Sequence, residues 1–259
     1  MRDERKTWIK SVRGGPSRYA EWEACGLRWL GEGSAAGGAR VVEVLDSDSD
    51  GLVLERLVPV APTVEAAEEF GSALAATHSA GAPAWGAPPE GWDGPGWFGP
   101  ADRPLPLELG AWSSWGEMYA VRLASLTRLA RDGGELTADE ARDVDALGAR
   151  CAAGEFDTGE APSRIHGDLW SGNLMWTADG VVLIDPAAHG GHREADLAML
   201  DLFGAPHLER IHTAYDEVRP LQDGWRDRVG LHQLYPVLVH AVLFGGGYAR
   251  QAMGIVARL

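Results

Sequence analysis

The chain has 259 residues, 45% of them hydrophobic, so it can build a sizeable core and is not a disordered polymer. Its formal charge of −15 disfavours long-range attraction to nucleic acid or to an anionic membrane. Two cysteines, Cys25 and Cys151, imply no disulfide framework. No apolar run is long enough to span a bilayer, and the charged start MRDERKTWIK has no apolar leader core, so the expected setting is cytoplasmic.

In chain order, residues 7–12 read as a short strand, broken by Gly14-Gly15-Pro16. Ser17 is the expected cap of a helix running to about Leu30, with Trp22, Cys25 and Trp29 on one face. Residues 31–38 are Gly-rich and end it. Residues 41–45 and 52–58 then read as two strands joined by the polar turn of residues 46–51, a hairpin. Pro59 and Pro62 mark a hinge. The expected division is a small lobe over residues 1–58 and a larger one over residues 59–259.

Beyond the hinge the pattern is mainly helical. Thr63 opens a helix to Ser79 with a partial cap. Residues 82–106, rich in Gly, Pro and Trp, read as an ordered surface loop. Helices are expected over residues 112–131, 137–152, 194–203, 206–218, 225–242 and 248–259. A buried strand over residues 181–184 ends in Asp185. No internal repeat is visible.

Residues 164–185, RIHGDLWSGNLMWTADGVVLID, carry the chemistry. His166 leads Asp168, Asn173 follows five residues later, and a strand then delivers Asp185. Phosphoryl transfer from ATP needs a carboxylate to orient a hydroxyl and take its proton. It also needs oxygen ligands that hold magnesium against the triphosphate, all rigidly placed. Asp168 fits the first role, Asn173 and Asp185 the second. A polar turn entering a hairpin is the plain alternative for a lone His-Gly-Asp, but the full constellation in register matches a kinase catalytic loop. Upstream, Lys10 ends the first strand and Glu23 lies in the next helix, the order in which a kinase holds the α- and β-phosphates. Each alone reads as a surface charge. Residues 52–57, with Glu55 and Leu57, fall where a kinase hinge would meet adenine.

The stretch His166-Gly167-Asp168-Leu169-Trp170-Ser171-Gly172-Asn173 resembles the loop of the fructosamine kinase (ketosamine 3-kinase) family. Related aminoglycoside and choline-type kinases often carry His-Pro in place of Trp-Ser. Asp185-Pro186-Ala187, residues 191–199, residues 23–27 and the tail from Leu234-Tyr235 to Tyr248 resemble that family too. The resemblance implies an α+β, two-lobed protein-kinase-like fold with a small β-containing lobe and a mainly helical lobe. It implies ATP and Mg2+ as cofactors. The implied acceptor is the 3-hydroxyl of a free or protein-bound ketosamine, whose phosphorylated product frees the amine; the role is deglycation. On this likeness Asp168 is the base, Asn173 and Asp185 hold metal, and Lys10 with Glu23 places ATP. Asp196 and His166 shape the loop. Trp170 either stacks on the sugar or packs.

Lys10 has nine residues before it, too few for the Gly-containing hairpin that covers phosphates in such kinases, so the expectation is that either the chain starts late or the phosphate cover is reduced or replaced, with weak ATP binding by these 259 residues as they stand. The redox cysteine that some relatives carry there is not carried over. Two other readings stand: a phosphotransferase for an aminoglycoside, homoserine-like or choline-type hydroxyl, against which Trp170-Ser171 argues, and a non-catalytic nucleotide-binding relative. The sequence leaves the oligomeric state open.

Overall fold

A computed structural model describes residues 6–259. Residues 1–5, which enter the expectations of an absent leader and a reduced phosphate cover, lie outside the described residues.

The small lobe starts with β1 (Thr7–Ser11), followed by α1 (Tyr19–Gly31). Ser17 is not the helix cap. Arg18 takes that position in the left-handed region, φ 68°, with no side-chain cap bond. Tyr19 N–H donates to Pro16 O at 3.2 Å, so the turn backbone satisfies a donor that a capping oxygen would otherwise take. After a short 3-10 turn come β2 (Arg40–Val41), β3 (Val44–Asp48) and β4 (Gly51–Glu55). The strand expected over residues 41–45 is split. β3 pairs antiparallel with β4, and β1 pairs antiparallel with the other edge of β4, Lys10 opposite Leu52. The hairpin turn is tighter than the expected six residues: Asp48 Oδ1 accepts from Asp50 N and Gly51 N at 2.8 and 3.1 Å. β4 ends at Glu55 rather than Val58, ahead of Pro59.

The large lobe begins with α2 (Val64–Ser79), whose Thr63 cap accepts from Ala66 N at 3.2 Å. The segment expected as a surface loop is partly interior, with most of its large rings buried and most of the residues between them exposed or half-buried. It forms a hairpin of β5 (Gly96–Phe98) and β6 (Leu105–Leu107). Trp85, Trp92 and Phe98 are buried in the main core, because rings of that size give more by leaving water than a solvated loop can. Then follow α3 (Trp115–Asp132), α4 (Ala138–Ala152) and four short strands: β7 (Ser163–Ile165), β8 (Leu174–Thr177), β9 (Gly180–Leu183) and β10 (His189–Gly191). The chain finishes with α5 (Arg193–Phe203), α6 (Leu208–Val218), α7 (Trp225–Phe244) and α8 (Tyr248–Val256).

Two joints fix the lobes against each other. β2 pairs in parallel with β9, so a strand of the small lobe belongs to the sheet that carries Asp185. The small-lobe core, with Ala24, Leu27 and Leu54, also takes in Val182 of β9. β8 and β9 form an antiparallel hairpin, and β7 pairs with β10; together these pairs frame residues 166–173.

Candidate active site

Residues 166–173 leave β7 under tight control. Gly167 has φ +81°, and a Cβ there would sit 2.3 Å from Ala187 O, so glycine is required twice over. His166 Nε2 bonds Ile184 O at 2.9 Å and its Nδ1 accepts from Asp168 N at 3.2 Å. That pairing makes Nε2 the protonated nitrogen. Burial lowers the His166 pKa, so the ring is a neutral brace. Asp196, at the start of α5, accepts from His166 N at 2.7 Å and Gly167 N at 2.9 Å, and its Oδ2 bonds His78 Nε2 at 3.1 Å. Burial would raise its pKa, but these bonds, with the nearby imidazoles, outweigh that and lower it.

Asp168 is the next residue along the loop after Gly167. Asn173 Nδ2 donates to its backbone oxygen at 2.8 Å and to Oδ2 at 3.2 Å, and reaches Asp185 O at 3.4 Å. Burial pushes the Asp168 pKa up to about 7. The Asn173 bond opposes the rise, and the negative charges of Asp185 and Asp196 support it. Asp185 is itself held in the left-handed region, φ 54°, an uncommon setting for a residue with a side chain. Lys10 Nζ lies 2.7 Å from Glu23 Oε2 and 2.9 Å from Asp185 Oδ1. Burial alone would lower the Lys10 pKa; these two acids more than offset it and raise it, so the ammonium persists. The ion chain Glu23–Lys10–Asp185 thus ties α1, β1 and the end of β9.

These groups share one cleft of about 450 Å³, with Lys10, Glu23, Asp168, Asn173 and Asp185 at its inner end. Trp170 lines it as well, its ring folded over Gly172, where a Cβ would come within 2.3 Å of the indole. Glu55 and Leu57 do not line this cleft. Glu55 accepts from Arg40 at 2.7 Å and from Glu43 N at 3.1 Å, and Leu57 packs on the small-lobe core.

Sequence reading missed the outer wall. The tip of the β5–β6 hairpin brings Phe98 and Asp102, and the end of α7 brings His240 and Phe244. The Trp- and Gly-rich composition of residues 82–106 was the signal available for the hairpin; nothing local marked His240. His78, the partner of Asp196, likewise has no motif around it.

The oxygen set suits a hard cation. Asp185 offers a carboxylate, and Asn173, with its amide N–H groups committed, leaves Oδ1 for a metal. Elsewhere, His192, Glu194 and His232 form the one cluster of three His, Cys, Asp or Glu side chains close enough to share a metal ion found among the described residues. Arg228 grips both Glu194 oxygens there, at 2.8 and 2.6 Å, which makes a structural ion pair the better description.

Comparison with known proteins finds similar sequences and similar folds. The family model for fructosamine kinase matches residues 2–259. A Vibrio parahaemolyticus protein named as a probable ketoamine kinase is 46% identical over 91 residues, which are 35% of this chain and 31% of that relative. The chain thus matches less than a third of that curated relative's length. A solved Thermobifida fusca chain assigned as a fructosamine-3-kinase superposes with a TM-score of 0.87 at 44% identity, covering 97% of this chain and 84% of that one. An aminoglycoside phosphotransferase solved with gentamicin shares the fold, with a TM-score of 0.62 at 11% identity, covering 98% of this chain and 85% of that one.

Proposed function

The chain belongs to the fructosamine kinase family, and from that premise we propose that it transfers the γ-phosphate of ATP to a sugar hydroxyl of a ketosamine, a step towards deglycation. The observation that carries the reading is the convergence of Lys10, Asp168, Asn173 and Asp185 on one cleft. In this reading residues 1–58 hold the nucleotide, with Lys10 and Glu23 at the α- and β-phosphates and the adenine beyond the cleft's lining, towards the backbone near Glu55 and Leu57. Residues 59–259 hold the acceptor and the reacting groups.

The hydroxyl oxygen forms its bond to the γ-phosphorus as the bond from that phosphorus to the bridging oxygen of ADP breaks, and Asp168 takes the hydroxyl proton. Magnesium, held by Asn173 and Asp185, would supply charge neutralisation on the triphosphate. Lys10 must exchange its bond to Asp185 for phosphate oxygens while Glu23 keeps it placed. Trp170 offers a face for the sugar.

The test is ADP release, coupled to an indicator enzyme, over a panel of fructosamines, ribulosamines, aminoglycosides and choline. Turnover restricted to ketosamines and lost in Asp185→Ala supports the proposal. Ketosamine turnover absent from the wild type, or retained near wild-type level in Asp185→Ala, refutes the respective part.

A further inference from the structure

The two ends of the cleft differ in chemistry. Around Asp168 the groups are ionic. At the outer end, four separate segments bring rings into one chain of contacts. Trp170 meets Phe203, at the end of α5, with centroids 5.9 Å apart. Phe203 meets His240 of α7 at 5.0 Å, and His240 meets Phe244 at 5.4 Å and Tyr248 of α8 at 5.1 Å. Gly245 and Gly246, both at positive φ, turn the chain between α7 and α8 and bring Tyr248 back to His240. Trp170, Phe203 and Phe244 keep 40%, 37% and 63% of their surface in water. Contiguous apolar surface of this kind marks a binding site more often than a solvated face.

The sugar cannot account for this rim. Its reacting hydroxyl must reach Asp168, and the face of Trp170, two residues away in sequence, is enough for one ring. His240 and Phe244 line the same cleft, and Phe203, which does not line it, joins them through its ring contacts with Trp170 and His240. What remains of a ketosamine beyond its sugar is the nitrogen and the group that nitrogen carries. The nitrogen is a cation at neutral pH, which suits aromatic faces and the exposed Asp102 on the hairpin tip across the cleft. His240 donates Nδ1–H to Pro236 O at 2.7 Å, and burial lowers its pKa, so it adds a neutral face rather than a repelling charge.

We infer that the cleft-lining rings of His240 and Phe244, extended by Phe203, receive the amine substituent of the substrate and favour ketosamines of arylalkyl or other bulky apolar amines over those of small polar ones. The inference rests on the proposed kinase reading and deepens it.

The experiment compares kcat/KM for N-fructosyl-benzylamine and N-fructosyl-glycine, which share the sugar and differ at the amine. The wild type should favour the benzyl adduct by about tenfold or more, the usual reach of apolar discrimination. Phe244→Ala and Phe203→Ala should each lower that ratio several-fold, and Phe244→Trp should preserve it. Phe244 is largely exposed at a helix end, so its variants should fold. A wild-type ratio near one, or a ratio unmoved in both alanine variants, overturns the inference alone. Phosphorylation of neither adduct overturns it together with the kinase reading.

Discussion

Asp196 reaches from α5 to the start of the loop that carries Asp168, and both have lost most of their water, yet their carboxyl groups are pushed in opposite directions. At the base, Asp196 is 1% exposed and collects two backbone N–H groups and the His78 ring. At the tip, Asp168 receives a single amide from Asn173 and faces the charge of Asp185. Burial penalises both anions; the number of donors decides which of them the fold stabilises. The base therefore holds the loop, while the tip keeps a carboxylate with spare acceptor capacity and a raised proton affinity, the condition a general base near neutral pH requires.

The largest effect should come from the tip. Asp168→Asn keeps the shape and removes the proton acceptor, so the phosphoryl-transfer rate should fall by roughly two to four orders of magnitude with ATP binding little changed. Single-turnover kinetics with calorimetric ATP titration measures both; an unchanged rate would reduce Asp168 to a shaping residue. Next comes the base. Asp196→Ala leaves His166 N, Gly167 N and His78 without their acceptor, and should lower unfolding free energy by about 3–5 kcal/mol in urea titrations. A loss under 1 kcal/mol would mean that water replaces the carboxylate and that the base is not the anchor.

The two sites should also show opposite pH slopes in the metal-free protein. Asp168 has a folded pKa of about 7, above the ordinary carboxylate value, so its ionised form destabilises the fold above pH 7 and that penalty fades as pH falls towards 4. Asp168→Asn should therefore melt higher than wild type at pH 8, with the gap closing by about pH 4. Asp196 has a lowered folded pKa, so its contribution is complete above the ordinary carboxylate value and is lost as pH falls through the folded one. The deficit of Asp196→Asn should accordingly be full at pH 7 and shrink only in strong acid. Parallel slopes in thermal melts would break the contrast. The smallest effect is expected at Gly172→Ala. The added methyl must displace the Trp170 indole, which should shift tryptophan emission and raise KM several-fold while kcat changes less.

Much of this site was legible in the sequence because its spacing is local. His166, Asp168 and Asn173 lie on one loop, and Asp185 is delivered by the strand that follows, so backbone geometry alone brings them near. The order Lys10 then Glu23 was readable for a similar reason: a strand end and the next helix make a short-range pair, joined at 2.7 Å. Less was legible where the chain's own neighbourhood is silent. Residues 82–106 look like a loop because Gly and Pro dominate them, yet Trp85, Trp92 and Phe98 pull that segment into the core. The Ser17 cap failed because Pro16 O already accepts from Tyr19 N.

The sequence by itself determined which polar groups could gather in one cleft, Asp168, Asn173, Asp185 and Lys10 with Glu23, in a helix-rich chain with one small sheet-bearing lobe. Only the tertiary structure decided what each group would be. His78 reaches Asp196 across 118 positions, and Phe203, His240 and Tyr248 meet on one rim from three helices. A carboxylate's proton affinity depends on the donors and charges within a few ångströms, and an aromatic ring's role on whether others cover it. Both are set by which distant segments pack together, and no local spacing records that.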